Sequence, residues 1–485
     1  LGPLVLAGPG GERLEVSFRR DDNRRHRYLL AAWQAFALGR LPRPATDLTL
    51  SGRTTGELRL DNPGREGFRL TGTARVQGEI AWGEARLAVR EADCRLRWRE
   101  GGLELNGELA VGPAGSVAIR FSSPASPSLA APLTGDFAAM LTNVDLNGLK
   151  PFLPERFRPD GVLSGSLEGK ILPQRRFVMS GQARVAKGVW TVAGPKGALE
   201  FSLAHLQTTW DWRDDLLRGT LTSEFTGAGR MQATFRLPIS NRYPLRVDKQ
   251  RTVHGSLKGE LREKGLLSSL FPGMVRETQG NLAADLAVSG TWERPRYEGT
   301  LTLYRAGAYL PTNGIRLEAV EGRVRFFPER IEIERFAARS GPGVLQGRAT
   351  IHYGAGRVQN VTGVLEGERF QAAYLPEIQL LVNPRLAFAG DGKHLRVKGS
   401  VHIPEGRYTE SRTPELVRPS RDVRVVDRPG KKPPVIPLSL DMAVTFTLGE
   451  GVFLKTKDLE GRLHGQMAAT GKNLEDMQTR GEINI

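Results

Sequence analysis

Residues 436–448 read IPLSLDMAVTFTL. Ile436, Leu438, Leu440, Met442, Val444, Phe446 and Leu448 are apolar, and Ser439, Asp441, Thr445 and Thr447 lie between them. A period of two is the signature of a strand with one apolar and one wet face, because successive side chains point to opposite sides of the pleat.

The same period recurs in both directions from this stretch. Leu395, Val397, Val401 and Ile403 alternate with His394, Arg396, Lys398, Ser400 and His402. Leu301 and Leu303, Met231 and Phe235, and Leu103, Leu105 and Leu109 repeat the pattern. Val76, Ile80 and Trp82 oppose Arg75, Gln77 and Glu79. Helix signals are few. Arg24–Leu41, with Leu29, Trp33 and Phe36 spaced for one helical face, is one candidate. Gly265–Phe271 and Asn147–Leu153 each suffice for a turn or two. Strands do not alternate with full helices, which excludes a doubly wound α/β fold. Thr409–Pro434 is dense in proline and charge and reads as a mobile loop between strands.

The chain has 485 residues, with 57 glycines, 30 prolines, 7 histidines and one cysteine, Cys94. That cysteine count excludes a disulfide framework and any cysteine-based zinc site. The net charge of +16 permits an anionic partner, but arginines on the wet faces of strands account for it. No apolar run reaches the ~18 residues that span a bilayer. The first residue is Leu, and the final GEINI looks like a strand just begun, so the chain reads as a segment of a longer one.

An internal repeat accompanies the alternation. Short apolar segments stop at a proline at Leu41-Pro42, Leu153-Pro154, Phe271-Pro272 and Leu375-Pro376. A second signature follows each: GTARVQGEIAW from Gly72, GQARVAKGVW from Gly181, GTLTLYRAGAY from Gly299 and GSVHIPEGRY from Gly399. The repeats divide the chain at about 42–153, 154–271, 272–375 and 376–485. A glycine inside an alternating strand marks a bulge, a bend or a close backbone approach, which a curling sheet needs at intervals. A continuing sheet of ~30 strands, ~4.8 Å apart, would extend about 140 Å. With no second sheet to cover its apolar face, it must roll on itself. The expected fold is therefore all-β: one elongated, curled, repetitive sheet with an apolar groove and a few short helices.

The ordered series of motifs resembles TamB and the wider AsmA-like group of Gram-negative envelope proteins. The stretch Gly280–Ile351 carries it best. There a short apolar segment ending at Pro272 precedes Gly280, Ser289-Gly290-Thr291, Pro295, Gly299, Gly307, Tyr309, Pro311, Gly314-Ile315 and the Gly341–Gly347 close. Gly399–Tyr408 and Gly451–Gly465 fit the C-terminal region of that family. The resemblance implies a periplasmic bridge that passes phospholipids between inner and outer membranes through a hydrophobic groove. It also implies an inner-membrane helix beyond the N-terminal end shown here. The same family suggests an alternative, a scaffold for inserting outer-membrane β-barrels with an Omp85-type partner. On either reading the groove lining is Val76, Ile80, Trp82, Leu103, Leu105, Leu109, Met231, Phe235, Leu301, Leu303, Leu395, Val397, Val401, Ile403, Leu438, Leu440, Met442, Val444 and Phe446.

Motifs for chemistry are missing. Gly341-Pro342-Gly343 lacks the third glycine of a dinucleotide fingerprint, and no Gly-Lys pair is followed by Ser or Thr. Gly165-Ser166 and Gly255-Ser256 do not form a nucleophile elbow. His394 and His402 have no carboxylate at ligand spacing, and Cys94 shares an apolar phase with Leu96 and Trp98. Glu332 and Glu334 flank Ile333 on an amphipathic strand and read as a solvated face. The basic cluster Arg24–Arg27 ahead of the candidate helix suits a cap on the sheet. Aromatics follow the apolar phase and do not interleave with Lys and Arg, which argues against nucleic acid. The expectation is a non-enzyme with no metal or cofactor.

Overall fold

The computed structural model describes the chain except residues 1, 9, 22–25, 41–47, 62–68, 83–84, 100–101, 125–133, 148–156, 195–196, 243–244, 264–273, 355–356, 411–438 and 472–475. Among the described residues the protein is all-β, and its helical turns are short 3-10 pieces such as Leu38–Arg40 and Pro173–Arg175. Leu438, the segment 265–271 and nearly all of the loop 409–434 lie outside the described residues.

The chain divides into two compact units. The first holds Leu1–Ala193, Leu199–Thr226 and Arg230–Gly255, and the second holds Gly194–Ala198, Gly227–Gly229 and Ser256–Ile485. In the first, β1 (Leu4–Gly8), β2 (Glu12–Asp21), β3 (His26–Ala37), β4 (Leu48–Asp61), β5 (Arg69–Trp82) and β6 (Ala85–Arg99) pair in chain order. The meander continues through β7 (Gly102–Val111), β8 (Gly115–Ser123), β9 (Gly135–Asp145), β10 (Phe157–Leu172) and β11 (Arg176–Gly194), always antiparallel. β12 (Gly197–Arg213) pairs with β13 (Leu216–Phe225), and β14 (Gly229–Leu237) follows.

The second unit runs β15 (His254–Arg262), β16 (Arg276–Gly290), β17 (Pro295–Leu310), β18 (Ile315–Phe327), β19 (Arg330–Ser340), β20 (Gly343–Gly354) and β21 (Arg357–Glu368). From β16 to β21 the ladder is an antiparallel meander. β21 and β22 (Phe370–Tyr374) share one partner, β23 (Ile378–Gly390), and the turn between β22 and β23 holds Leu375-Pro376. β24 (His394–Thr409) pairs back on β23, but β25 (Ser439–Lys455) runs parallel to β24. β26 (Glu460–Arg462), β27 (His464–Gly471) and β28 (Gln478–Asn484) complete the unit with antiparallel pairings.

Strands this long bend where one strand carries an extra residue. Three neighbouring strands do so side by side, with Glu277, Arg305 and Ala319 at φ of 50°, 49° and 45° beside shifts in register. A bulge bends its strand and increases the twist, so a line of bulges curls the sheet. Small residues pack inside the bend: Ala306, Val320 and Ala338 form a buried cluster against Leu303, Leu317 and Phe336.

The candidate helix over 24–41 is instead a strand from His26 to Ala37. Leu29, Ala31 and Trp33 alternate on one face, opposite Leu60, Leu58 and Gly56. A bulge then falls between Trp33 and Phe36, with Ala35 at φ 53° and its amide donating to Thr55 Oγ1 at 3.1 Å. The bulge produces the three-residue step that imitates helical spacing. Ladders to β2 and β4 override the helix propensity of the Leu- and Ala-rich stretch. Its basic cluster is therefore not the approach to a helical cap. The turn at Asn147 begins as 3-10 at Leu146, and residues beyond it lie outside the description.

Candidate functional site

Residues opposed across a ladder share a face, so the registers can be followed from strand to strand as rows perpendicular to the strands. In the first unit one row reads Leu4, Val16, Ala31, Leu58, Gly72, Leu96, Leu105, Phe121, Phe137, Gly169, Met179. The next reads Leu6, Leu14, Trp33, Gly56, Ala74, Cys94, Gly107, Ile119, Ala139, Leu167, Gly181. Neither contains a charged residue from β1 to β11, a distance of about 48 Å at ~4.8 Å per strand.

The second unit repeats the arrangement. Ala284, Leu301, Val324, Ile333, Ala349, Gly363, Phe388, Val397, Met442 and Gly471 form one row. Leu282, Leu303, Gly322, Phe336, Gly347, Leu365, Leu386, Gly399, Val444 and Ala469 form its neighbour. Each crosses ten strands, about 43 Å. The parallel pairing of β24 with β25 does not break them.

The opposite phase is polar. Asp285, Thr300, Arg325, Glu332, Thr350, Thr362, Ala389, Arg396 and Asp441 form one such row. Exposed ion pairs cross it, including Arg396–Asp441 at 2.8 Å and Lys258–Asp285 at 3.1 Å. Glu332 and Glu334 pair with Arg330 and Arg325 at 2.7 and 3.2 Å, which fits a solvated face.

The residues expected to line a groove fall on the apolar phase wherever their registers are described. Val76 opposes Ala92, which opposes Leu109, and Leu103 opposes Trp98. Ile80 and Trp82 hold register positions beside Leu87 and Ala85. Leu395, Val401 and Ile403 oppose Leu440, Phe446 and Leu448. Phe235 reaches Gly219, which opposes Trp210, and Met231 keeps the same alternation along β14. Exposure differs sharply among them: Val444 is 4% exposed, whereas Leu105 is 37% exposed. Ile119 on the same phase is 39% exposed. Alternation over Val117, Ile119 and Phe121 could have pointed to it, but in β9 both phases are apolar, with Ala138 and Met140 opposite Ala139, so no phase is legible there.

The signature glycines have two causes. Gly299 and Gly399 adopt φ of 128° and 142°, where an L side chain is strained. Gly72 and Gly181 instead make room, for Leu58 Cδ1 and the Trp210 indole at 2.7 and 2.5 Å from where a Cβ would stand.

Groups for chemistry do not converge. Among the described residues no cluster of three or more metal-ligating side chains occurs. Asp391 accepts from the amides of Lys393 and His394 at 2.7 and 2.8 Å, which holds its carboxyl below the usual range, and His394 Nδ1 lies 3.4 Å away. Burial, with Asp93 nearby, pushes the half-buried Cys94 thiol up. No helix among the described residues is long and apolar enough to cross a membrane.

Two family models match this sequence: TamB, N-terminal domain, over residues 126–303, and TamB C-terminal domain over 329–485. Together they cover more than two thirds of the chain. The chain belongs to the TamB family. No curated protein and no solved structure matches it. TamB proteins belong to the bacterial cell envelope and are associated with the translocation and assembly module or with lipid transport. They are not known enzymes.

Proposed function

We propose that this TamB-family chain carries phospholipid acyl chains along the apolar rows of its sheets, as part of a periplasmic bridge between inner and outer membranes. The observation that carries the reading is the absence of any charged residue from paired rows ten or eleven strands long. Each row exceeds the ~15 Å depth of one leaflet's hydrocarbon, so an acyl chain has apolar surface ahead of it at every step. Burying that surface stabilises the occupant by roughly 25 cal/mol per Å². Headgroups would stay in water. Family membership supports an inner-membrane anchor and an outer-membrane Omp85-type partner, and the four repeats would be the modules from which the path is built.

Native mass spectrometry of the purified chain tests the reading, with bound phospholipid as the expected result. A photo-crosslinker at Ile119 should give lipid adducts, and one at Arg120 on the opposite phase should not. Equal labelling at both positions, or none at Ile119, counts against the conduit and favours a scaffold for β-barrel clients.

A further inference from the structure

We propose that five glycines of the apolar phase set the clearance of the path, by giving aromatic rings of the neighbouring strands a place to lie flat. The inference rests on the conduit reading and adds the residues that keep the conduit open.

Gly56, Gly169, Gly181, Gly219 and Gly363 share a feature besides the close approach of a backbone carbonyl oxygen, such as Thr73 O at Gly56 and Val178 O at Gly169. None of them adopts a left-handed φ. A methyl group at each would meet an aromatic ring from the adjacent strand. The ring is Trp33 at 2.6 Å from the Gly56 position, Phe137 at 2.7 Å from Gly169 and Trp210 at 2.5 Å from Gly181. Phe235 stands in the same relation to Gly219, and Phe388 to Gly363. In each phenylalanine the atom that reaches the glycine is Cζ, the far tip of the ring. The ring therefore leans across the ladder, along the row, instead of standing up from its own strand.

Glycine inside a strand is unfavourable by itself, because it adds backbone entropy and packs nothing. A ring laid over it restores the lost contact, as in the aromatic rescue of strand glycines. The arrangement also has a consequence for an occupant. A row of upright rings would fill a narrow apolar groove, whereas rings laid on glycines present their faces as a floor.

The open pockets of the sheet lie on the other phase: one of about 850 Å³ takes in Asp93, Glu108, Arg120 and Glu168, one of about 580 Å³ Asp136 and Lys170, and one of about 470 Å³ Glu332 and Arg348. On the apolar phase, enlarging the glycine should lift the ring off the ladder, to where an acyl chain would lie, without adding any polarity.

The test compares alanine variants of the full chain by native mass spectrometry, counting bound phospholipid. Gly181→Ala and Gly363→Ala should each cut the lipid-bound fraction at least fivefold. Gly392→Ala is the control. It lies outside the rows, and the nearest atom to an added methyl is Val358 O at 3.4 Å, so loading should stay at the wild-type level. Backbone is also close to the test glycines, with Ser166 O at 2.8 Å from the Gly181 position and Arg348 O at 2.7 Å from Gly363. The double variants Gly181→Ala/Trp210→Ala and Gly363→Ala/Phe388→Ala separate the two effects. Recovered loading in the doubles assigns the block to the ring. Loading that stays low in a folded double overturns the inference, as does a folded Gly181→Ala that carries as much lipid as wild type. A single variant that does not fold leaves the decision to its double and to the other pair. A wild-type chain without lipid sinks the conduit reading and this inference together, whereas a loaded wild type with equally loaded variants sinks this inference alone.

Discussion

Placing a carboxylate at Ile119 should empty the first unit's path while leaving its fold intact. Ile119 lies between Gly107 on β7 and Ala139 on β9 and is 39% exposed. Fully burying an isoleucine is worth about 1.5–3 kcal/mol, so removing its partly buried surface costs roughly 1–2 kcal/mol. An aspartate there keeps contact with water in the empty groove, and a domain stable by ~5–15 kcal/mol survives the change. Loading is different. An acyl chain over position 119 must strip water from the carboxylate, and the row offers no cation: its members from Trp33 to Gly181 are uncharged. The effective penalty for an unpaired ion is several kcal/mol. Taking only about 3 kcal/mol predicts a loss of affinity of roughly a hundredfold. The matched change is Ala138→Asp, one strand away on the opposite phase between Arg120 and Glu168, which should keep its lipid. Melting curves and native mass spectra of both variants give the comparison. If Ile119→Asp folds and loads as well as Ala138→Asp, no acyl chain crosses this row, and the argument from row continuity fails.

Other changes separate stability from transport. Val444 is 4% exposed between Gly399 and Ala469, so Val444→Asp should lower stability by about 3 kcal/mol or more, read as a shift in the urea midpoint. Thr445→Arg on the other phase should unfold within about 0.5 kcal/mol of wild type. Gly399→Ala forces alanine to φ 142° against Arg385 O and should cost about 1–3 kcal/mol, whereas Gly322→Ala should be neutral or stabilising by about 0.5 kcal/mol. Asp391 has its pKa lowered by two backbone amides, so its contribution is present above the ordinary carboxylate pKa and vanishes as pH falls through the depressed value. Asp391→Ala should accordingly be less stable than wild type at neutral pH, with the two converging in acid below about pH 3.9. Equal midpoints at neutral pH would refute the role of that turn. Cys94, raised by burial, should react with a thiol reagent more slowly than free cysteine at pH 8, and an equal rate would place it in open water.

Much of this was legible in the residues because alternation is a direct readout of a strand with one wet face. Leu395, Val397 and Val401 alternate without interruption, and the structure places them beside Leu440, Met442 and Phe446. Pairing was less legible. Nothing in Ser439–Lys455 announces that β25 runs parallel to β24, since both strands read alike in either direction. The ring-on-glycine pairs were invisible for a related reason. Gly363 and Phe388 are 25 positions apart in sequence and meet only through the β21–β23 ladder, while the glycine excess alone suggested bends.

The hardest feature to read was the slip in parity at bulges, and it explains the misassigned helix. Along β6 the apolar phase runs Leu87, Val89 and then Ala92, Cys94, Leu96, a step of three in a series of twos. β19 steps from Ile333 to Phe336, and β17 from Leu303 to Ala306. Each step coincides with a shift in register, so the extra residue is absorbed by a bulge and the next apolar side chain returns to the same face. A one-residue slip without a bulge would turn every later side chain to the wrong side. In β3 the same step, from Trp33 to Phe36, lies four residues beyond Leu29 and so reproduces helical spacing. The rows stay apolar through these bulges and through the parallel β24–β25 pair alike. Strand direction and sequence parity both vary while the phase does not. A path running across the strands depends on the phase alone.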